Sequence, residues 1–226
     1  MLIRNIPPNL LTALNLSAGI AGIINVFTGD AELTIWFIII AGIFDFFDGF
    51  IARLVKSNPD FGKQFDSLAD MVTFGVLPAI YLFQWSVTQG NPSWVNYSTI
   101  LIAIFSAVRL AIFNIDTKQS HGFLGVPTPA NSIMIATITQ ISWLTTQSEL
   151  FVVGLTLFSS VMMVVRVPMI AMKFRDYSIT GNWSRYLLVT GIIIGLILLK
   201  LDFGPYFIPY YIFLSLVAQM ASATSK

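Results

Sequence analysis

Apolar residues fill this chain in long blocks separated by short polar links, and neither an alternating strand pattern nor an amphipathic helix pattern dominates. Dividing the chain at its polar breaks leaves eight stretches, roughly 8–28, 32–55, 64–87, 96–115, 129–147, 150–170, 185–200 and 204–222. A membrane-spanning helix needs about 20 mostly apolar residues, so each stretch predicts one span. The breaks at Thr146–Leu150 and Leu199–Gly204 are only a few residues long and suit tight helical hairpins, with Gly204-Pro205 as a helix stop and restart. The last hairpin can instead dip into the bilayer, which leaves six spans. The expectation is an all-α polytopic bundle, a single membrane domain over 1–226 with no internal repeat.

Composition agrees. Of 226 residues, 56% are hydrophobic and 10% charged, against about 25% charged in an ordinary soluble domain. A net charge of +1 offers no basic field for nucleic acid. With no cysteine there are no disulfides, thiolate metal sites or cysteine nucleophiles. The opening MLIRNIPPNLLT, with one basic residue and no small-residue cleavage site, does not predict a cleaved signal peptide.

The few charges are placed unevenly. Cytoplasmic loops collect Lys and Arg. With an even number of spans, ten of the twelve basic residues share a side: Arg4, Arg53, Lys56, Lys63, Lys118, Arg166, Lys173, Arg175, Arg185 and Lys226. Only Lys200 lies opposite, with Asp30, Glu32, Glu149 and Asp202, and Arg109 is inside a span. Cytoplasmic N- and C-termini are therefore expected.

Ionisable residues inside a span are costly and mark function by default. The segment Phe44–Gly75, FDFFDGFIARLVKSNPDFGKQFDSLADMVTFG, carries Asp45 and Asp48 near the inner end of the second stretch and Asp66 and Asp70 at the inner end of the third. The spacings i,i+3 and i,i+4 put each pair on one helix face. The short link Lys56–Asp60, with Asn58-Pro59, predicts two antiparallel helices with adjacent inner ends. Four carboxylates then face one another. Alone they would repel and take up protons; divalent cations relieve this, and an all-oxygen donor set suits Mg²⁺, Mn²⁺ or Ca²⁺. Four carboxylates on two helices can hold two such ions, a layout suited to displacement at phosphorus. Gly49 and Ala52 leave a bare strip beside Asp45, Arg53 continues that face with a fork suited to phosphate, and Gly62 bares the end of the third helix. Asp60 and Lys63 read as a solvated helix end, and the only histidine, His121, as a surface residue of a polar link. Phe44, Phe46, Phe47 and Phe50 read as lipid or packing contacts, and the five tryptophans as an interfacial belt.

Written out, the segment is Asp45-x2-Asp48-Gly49-x2-Ala52-Arg53-x8-Gly62-x3-Asp66-x3-Asp70. It resembles, with every defining position filled, the signature of the CDP-alcohol phosphatidyltransferase family of phospholipid synthesis. The resemblance implies a homodimer with a shared helical core of six helices. It also implies a cavity open to the cytoplasm, where two divalent ions sit against the pyrophosphate of a CDP-linked lipid. Carried over by position, Asp45, Asp48, Asp66 and Asp70 look like metal ligands and Asp70 also like the base. Asp48, Gly49, Ala52, Arg53, Gly62 and Thr12 would line the nucleotide and pyrophosphate site, with Arg53 acting in catalysis.

Further pieces, IPPNLLTALNLSAG at 6–19, DFGKQFDSLADMVTFGVLPA at 60–79, RLAIFN at 109–114 and GFLGVPTPA at 122–130, resemble the branch that transfers the phosphatidyl group of CDP-diacylglycerol to L-serine. Thr128, where that branch suggests an aliphatic residue, and Asn131, where it suggests a small one, depart from the pattern. The first stretch carries Asn9, Thr12 and Asn15 but no Arg after Arg4, which favours an acceptor without phosphate. For the serine carboxylate the strongest candidate is Arg109, followed by Asn114; Arg109 reads equally well as a structural salt bridge. Arg166, Lys173, Arg175 and Arg185 are further candidates for a substrate anion. Glycerol 3-phosphate, inositol phosphate or choline remain alternative acceptors. A cation transporter is the remote alternative, against which stands the gathering of all four acids on one side.

Overall fold

The computed structural model describes residues 5–57, 59–115, 123–141, 148–170 and 178–224. Arg4, Asn58, Lys118, His121, Trp143, Lys173, Arg175 and Lys226, all used above, lie outside the described residues.

The fold is all-α. Helices α1 (Ile6–Val26), α2 (Ala31–Leu54) and α3 (Pro59–Asp70) are followed by a π-helical turn, Met71–Val76, that runs into α4 (Leu77–Thr88). Then come α5 (Ser93–Ser98), α6 (Ile100–Ile115), α7 (Thr128–Ile138), α8 (Ser148–Val164), α9 (Ile179–Leu199) and α10 (Gly204–Thr224). Five helical runs are long and apolar enough to cross a membrane: 6–26, 32–54, 60–88, 93–115 and 181–199. Ile24, Leu54, Ile197 and Leu198 are each more than 60% exposed, as expected of side chains solvated by lipid.

In lipid, helices associate through close packing of small residues rather than through a hydrophobic drive. Gly19 and Gly22 provide this on α1. A Cβ at Gly19 would collide with the Thr73 hydroxyl, and one at Gly22 would come within 2.7 Å of Leu77. Ala18, Ile38, Ala41, Phe74, Leu77 and Ala136 close the core between α1, α2, the π turn, α4 and α7.

The third stretch is not one regular helix. Pro78 has no N–H for the Phe74 carbonyl, and its ring would press on that carbonyl in an α register. The π turn absorbs the misfit, ending with Leu77 N–H bonded to the Val72 carbonyl. Stretch 129–147 also differs from expectation. The helix there, α7, has 11 residues, about 16 Å at 1.5 Å per residue, too short to cross a bilayer. Thr128, Ala130, Asn131, Ser132, Met134, Ile135, Ala136 and Thr137 are buried, so α7 is an internal element enclosed by others.

Two very short strands hold the entry to α7. In β1 (Phe123–Leu124) and β2 (Pro168–Met169), Phe123 pairs with Met169 and Leu124 with Pro168. Gly125 follows at φ +74°, where a Cβ would meet the Met163 carbonyl at 2.5 Å, so only glycine fits this turn. Its N–H bonds to the Val167 carbonyl at 2.9 Å. The start of α7 is thereby tied to the end of α8.

Candidate active site

Three of the four aspartates converge, where the spacing predicts that all four face one another. Single carboxylate oxygens of Asp45, Asp48 and Asp66 lie within 4.8 Å of one another. Asp70 stands outside that group, one turn further along α3, yet close enough to interact electrostatically with Asp45 and Asp66. Asp48 and Asp70 are buried, and Asp45 and Asp66 half-buried.

Helix α1 holds two of the four. The Thr12 hydroxyl donates to Asp48 Oδ2 at 2.6 Å, with the Pro8 carbonyl at 3.1 Å as its other acceptor. Asn15 Nδ2 donates to Asp70 Oδ1 at 3.1 Å, and the Thr73 hydroxyl donates to the Asn15 carbonyl at 3.3 Å. The π turn starts directly after Asp70, where such irregularities are often functional. Thr12 was read from the sequence as part of the site. The contact of Asn15 with Asp70 was not, because a lone Asn on an apolar helix has no pattern to reveal its partner.

Among the described residues no Lys or Arg forms an ion pair with any of the four carboxylates. Asp45 and Asp66 approach within hydrogen-bonding reach of each other, and Asp66 Oδ1 is buried without a partner. Close carboxylates lacking counter-charge require protons or cations. The residues fit a divalent cation: three hard oxygen donors converge, and one buried acceptor is unused.

A cavity of about 450 Å³ opens beside them, lined by Asp48 and Asp66 together with Asn9, Thr12, Gly49, Ala52, Arg53, Lys56, Gly62 and Lys63. All six positions assigned to the nucleotide and pyrophosphate lie on this wall. The glycines leave ordinary contact room, since a Cβ at Gly49 would sit 3.6 Å from the Arg53 guanidinium and one at Gly62 3.6 Å from Asn9 Oδ1. Lys63, read above as part of a solvated end, donates to the Asn114 carbonyl in the last turn of α6 at 2.6 Å, a favourable place for a cation.

A second cavity, about 270 Å³, adjoins Asp45, Asp66 and Asp70 and is lined further by Ser67, Arg109, Leu110, Phe113 and Pro127–Pro129. Asp66 and Phe113 belong to both cavities. Arg109 is 93% buried by its 7% exposure, and Asp70 is the carboxylate whose charge it feels. It also lines a small third cavity with Arg166. Asn114 stands behind this wall, its Nδ2 donating to the Ser67 hydroxyl at 2.8 Å, so it braces α3 against α6. Thr128 is on the wall. Asn131 is buried behind it, with Nδ2 on the Met163 sulfur at 3.5 Å. Phe46, Phe47 and Phe50 are exposed, as lipid-facing aromatics would be.

Residues 5–172 match the family described as CDP-alcohol phosphatidyltransferase. The CDP-diacylglycerol–serine O-phosphatidyltransferase of Helicobacter pylori strain J99 is 35% identical over 130 residues, covering 57% of this chain and 54% of the relative. The archaetidylserine synthase of Methanothermobacter thermautotrophicus is 33% identical over 132 residues, 57% of this chain and 55% of the relative. The CDP-diacylglycerol–serine O-phosphatidyltransferase of Mycobacterium tuberculosis is 28% identical over 194 residues, 80% of this chain and 66% of the relative. The chain thus spans about half the length of the first two relatives it matches.

Proposed function

We propose, for a chain that belongs to the CDP-alcohol phosphatidyltransferase family, that it transfers the phosphatidyl group of CDP-diacylglycerol to the hydroxyl of L-serine, giving phosphatidylserine and CMP. The observation that carries this reading is the pair of adjoining cavities that share Asp66. One is lined by the whole glycine, alanine and arginine strip of the signature, the other by Asp70 and Arg109.

In the larger cavity Arg53, with Lys56 and Lys63, attracts the donor's pyrophosphate, and Gly49, Ala52 and Gly62 leave room for it to approach the backbone. Asp45, Asp48, Asp66 and Asp70 would hold two divalent cations, Mg²⁺ or Mn²⁺, whose chemistry is to neutralise the pyrophosphate and the charge that departs with CMP. Thr12 and Asn15 keep Asp48 and Asp70 oriented. In the smaller cavity Arg109 binds the serine carboxylate, and Asp70 takes the proton from the serine hydroxyl. The hydroxyl oxygen bonds to the phosphorus that carries diacylglycerol, the bond from that phosphorus to CMP breaks, and CMP leaves with the electron pair. The excess of Arg and Lys at the aspartate end supports a site facing the cytoplasm. A homodimer in the bilayer completes the reading.

The test is CMP release by purified protein in detergent or lipid with CDP-diacylglycerol and Mn²⁺ or Mg²⁺, across serine, glycerol 3-phosphate, inositol phosphate and choline. Serine- and metal-dependent release that is lost in Asp70→Asn is the expected result. Release with another alcohol alone would overturn the acceptor, and release independent of Asp70 would overturn the site.

A further inference from the structure

One part of the smaller cavity's lining is rich in hydrogen-bond donors, and they are under-used. Thr128 is fully buried on the cavity wall, and its hydroxyl has no partner. Arg109, on the same wall and 7% exposed, has its Nε unpartnered. Helix α7 begins at this point without a side-chain cap, because its N-cap residue is Pro127. Pro129 has no N–H, and Asn131 N–H is already bonded to the Pro127 carbonyl at 3.0 Å. The N–H groups of Thr128 and Ala130 are the first-turn donors with no acceptor inside the helix, and the helix dipole adds positive potential there. A hydroxyl, a guanidinium and an uncapped helix start, all buried, call for an anion of small size.

The acceptors of the lining are the carboxylates of Asp45, Asp66 and Asp70. A ligand that satisfies both parts carries an anion at one end and a cation or hydroxyl at the other, which describes a small α-amino acid. We infer that the start of α7, through Thr128 and beside Arg109, is the subsite that holds the acceptor's carboxylate in this chain. The assignment rests on the phosphatidyl-transfer reading and deepens it.

The subsite is tested by steady-state CMP release with CDP-diacylglycerol and Mn²⁺, using L-serine, ethanolamine, which lacks the carboxylate, and glycerol 3-phosphate. Wild type, Thr128→Val and Thr128→Ser are compared, with thermal unfolding in detergent to verify that each is folded. A hydrogen bond to a charged group is worth about 1.5–3 kcal/mol, so Thr128→Val raises the KM for serine about tenfold or more. The KM for CDP-diacylglycerol stays unchanged, Thr128→Ser restores the serine KM, and wild type strongly prefers serine to ethanolamine. A serine KM in Thr128→Val within about twofold of wild type, or an equal rise in both KM values, would overturn the subsite while leaving serine transfer intact. Wild-type turnover of ethanolamine as good as that of serine would overturn it without any variant. Turnover of glycerol 3-phosphate but not serine would instead remove the serine reading itself.

Discussion

Helix α2 carries acids at both ends, and the two ends treat them differently. At its start Asp30 is a helix cap: Oδ1 accepts the Leu33 N–H at 2.8 Å, and Asn25 Nδ2 bridges to the Asp30 carbonyl at 2.7 Å and the Thr34 hydroxyl at 2.9 Å. Every partner is within nine residues along the chain. Toward the other end Asp45 and Asp48 face Asp66 from α3 and draw on α1, 36 residues from Asp48, for the one hydroxyl among the described residues that bonds to either. A structural acid is satisfied by its own neighbourhood. A working acid is held in place and left with acceptor capacity for something that arrives from outside.

Three substitutions test that contrast. The largest effect is expected from Asp66→Asn, which removes the carboxylate common to both cavities. CMP release with serine should fall at least about 100-fold, the usual scale for losing one such group. The stabilisation that saturating Mn²⁺ confers on wild type, about 2.7 kcal/mol at a hundred times Kd, should vanish from thermal unfolding curves. Retention of the Mn²⁺ shift in this variant would separate metal binding from the aspartate cluster.

Gly19→Ala comes next. The new methyl meets Thr73, whose hydroxyl bonds to the Asn15 carbonyl behind Asp70. Overpacking of this kind costs about 1–3 kcal/mol, so both the unfolding temperature and kcat should drop, the latter with little change in either KM. A variant as stable as wild type would show that α1 and the π turn can separate at no cost.

The smallest effect belongs to Asp30→Ala. Losing an N-cap costs about 1 kcal/mol, visible in thermal unfolding. Serine-dependent CMP release and its metal requirement should remain at wild-type levels in the folded protein. A loss of metal dependence here would erase the distinction between the two ends of α2.

Much of the site is legible in the residues. The i,i+3 and i,i+4 spacings put each pair of acids on one face through helix geometry alone, and the short link after α2 then brings Asp45, Asp48 and Asp66 together. The strip Gly49, Ala52, Arg53 and Gly62 follows the same rule and lines a single cavity. Asn114 shows where spacing stops being informative: five residues past Arg109 in the chain, it turns to Ser67 and leaves the cavity wall. The π turn after Asp70 was signalled only by Pro78, and a proline within an apolar run fits a kink, a break or a turn alike.

The second half was harder to read because its partners are distant. Apolar composition over 129–147 resembles that of a span, but α7 is short and internal, enclosed by α2, α4, α8 and α10 and tied to α8 through Gly125. Hydropathy reports transfer from water and cannot tell a lipid-facing helix from one enclosed by other helices, since both are apolar. An all-α membrane-type chain and a cluster of acids on two neighbouring helices can be read from the residues, because these follow from local composition and helical periodicity. Which side chains stand beside the acids depends on how distant helices pack. Thr12 and Asn15 bond to aspartates 36 and 55 residues away, Arg109 and Thr128 share a cavity wall with Asp70 from further along the chain, and packing between helices, with no local rule, sets these placements.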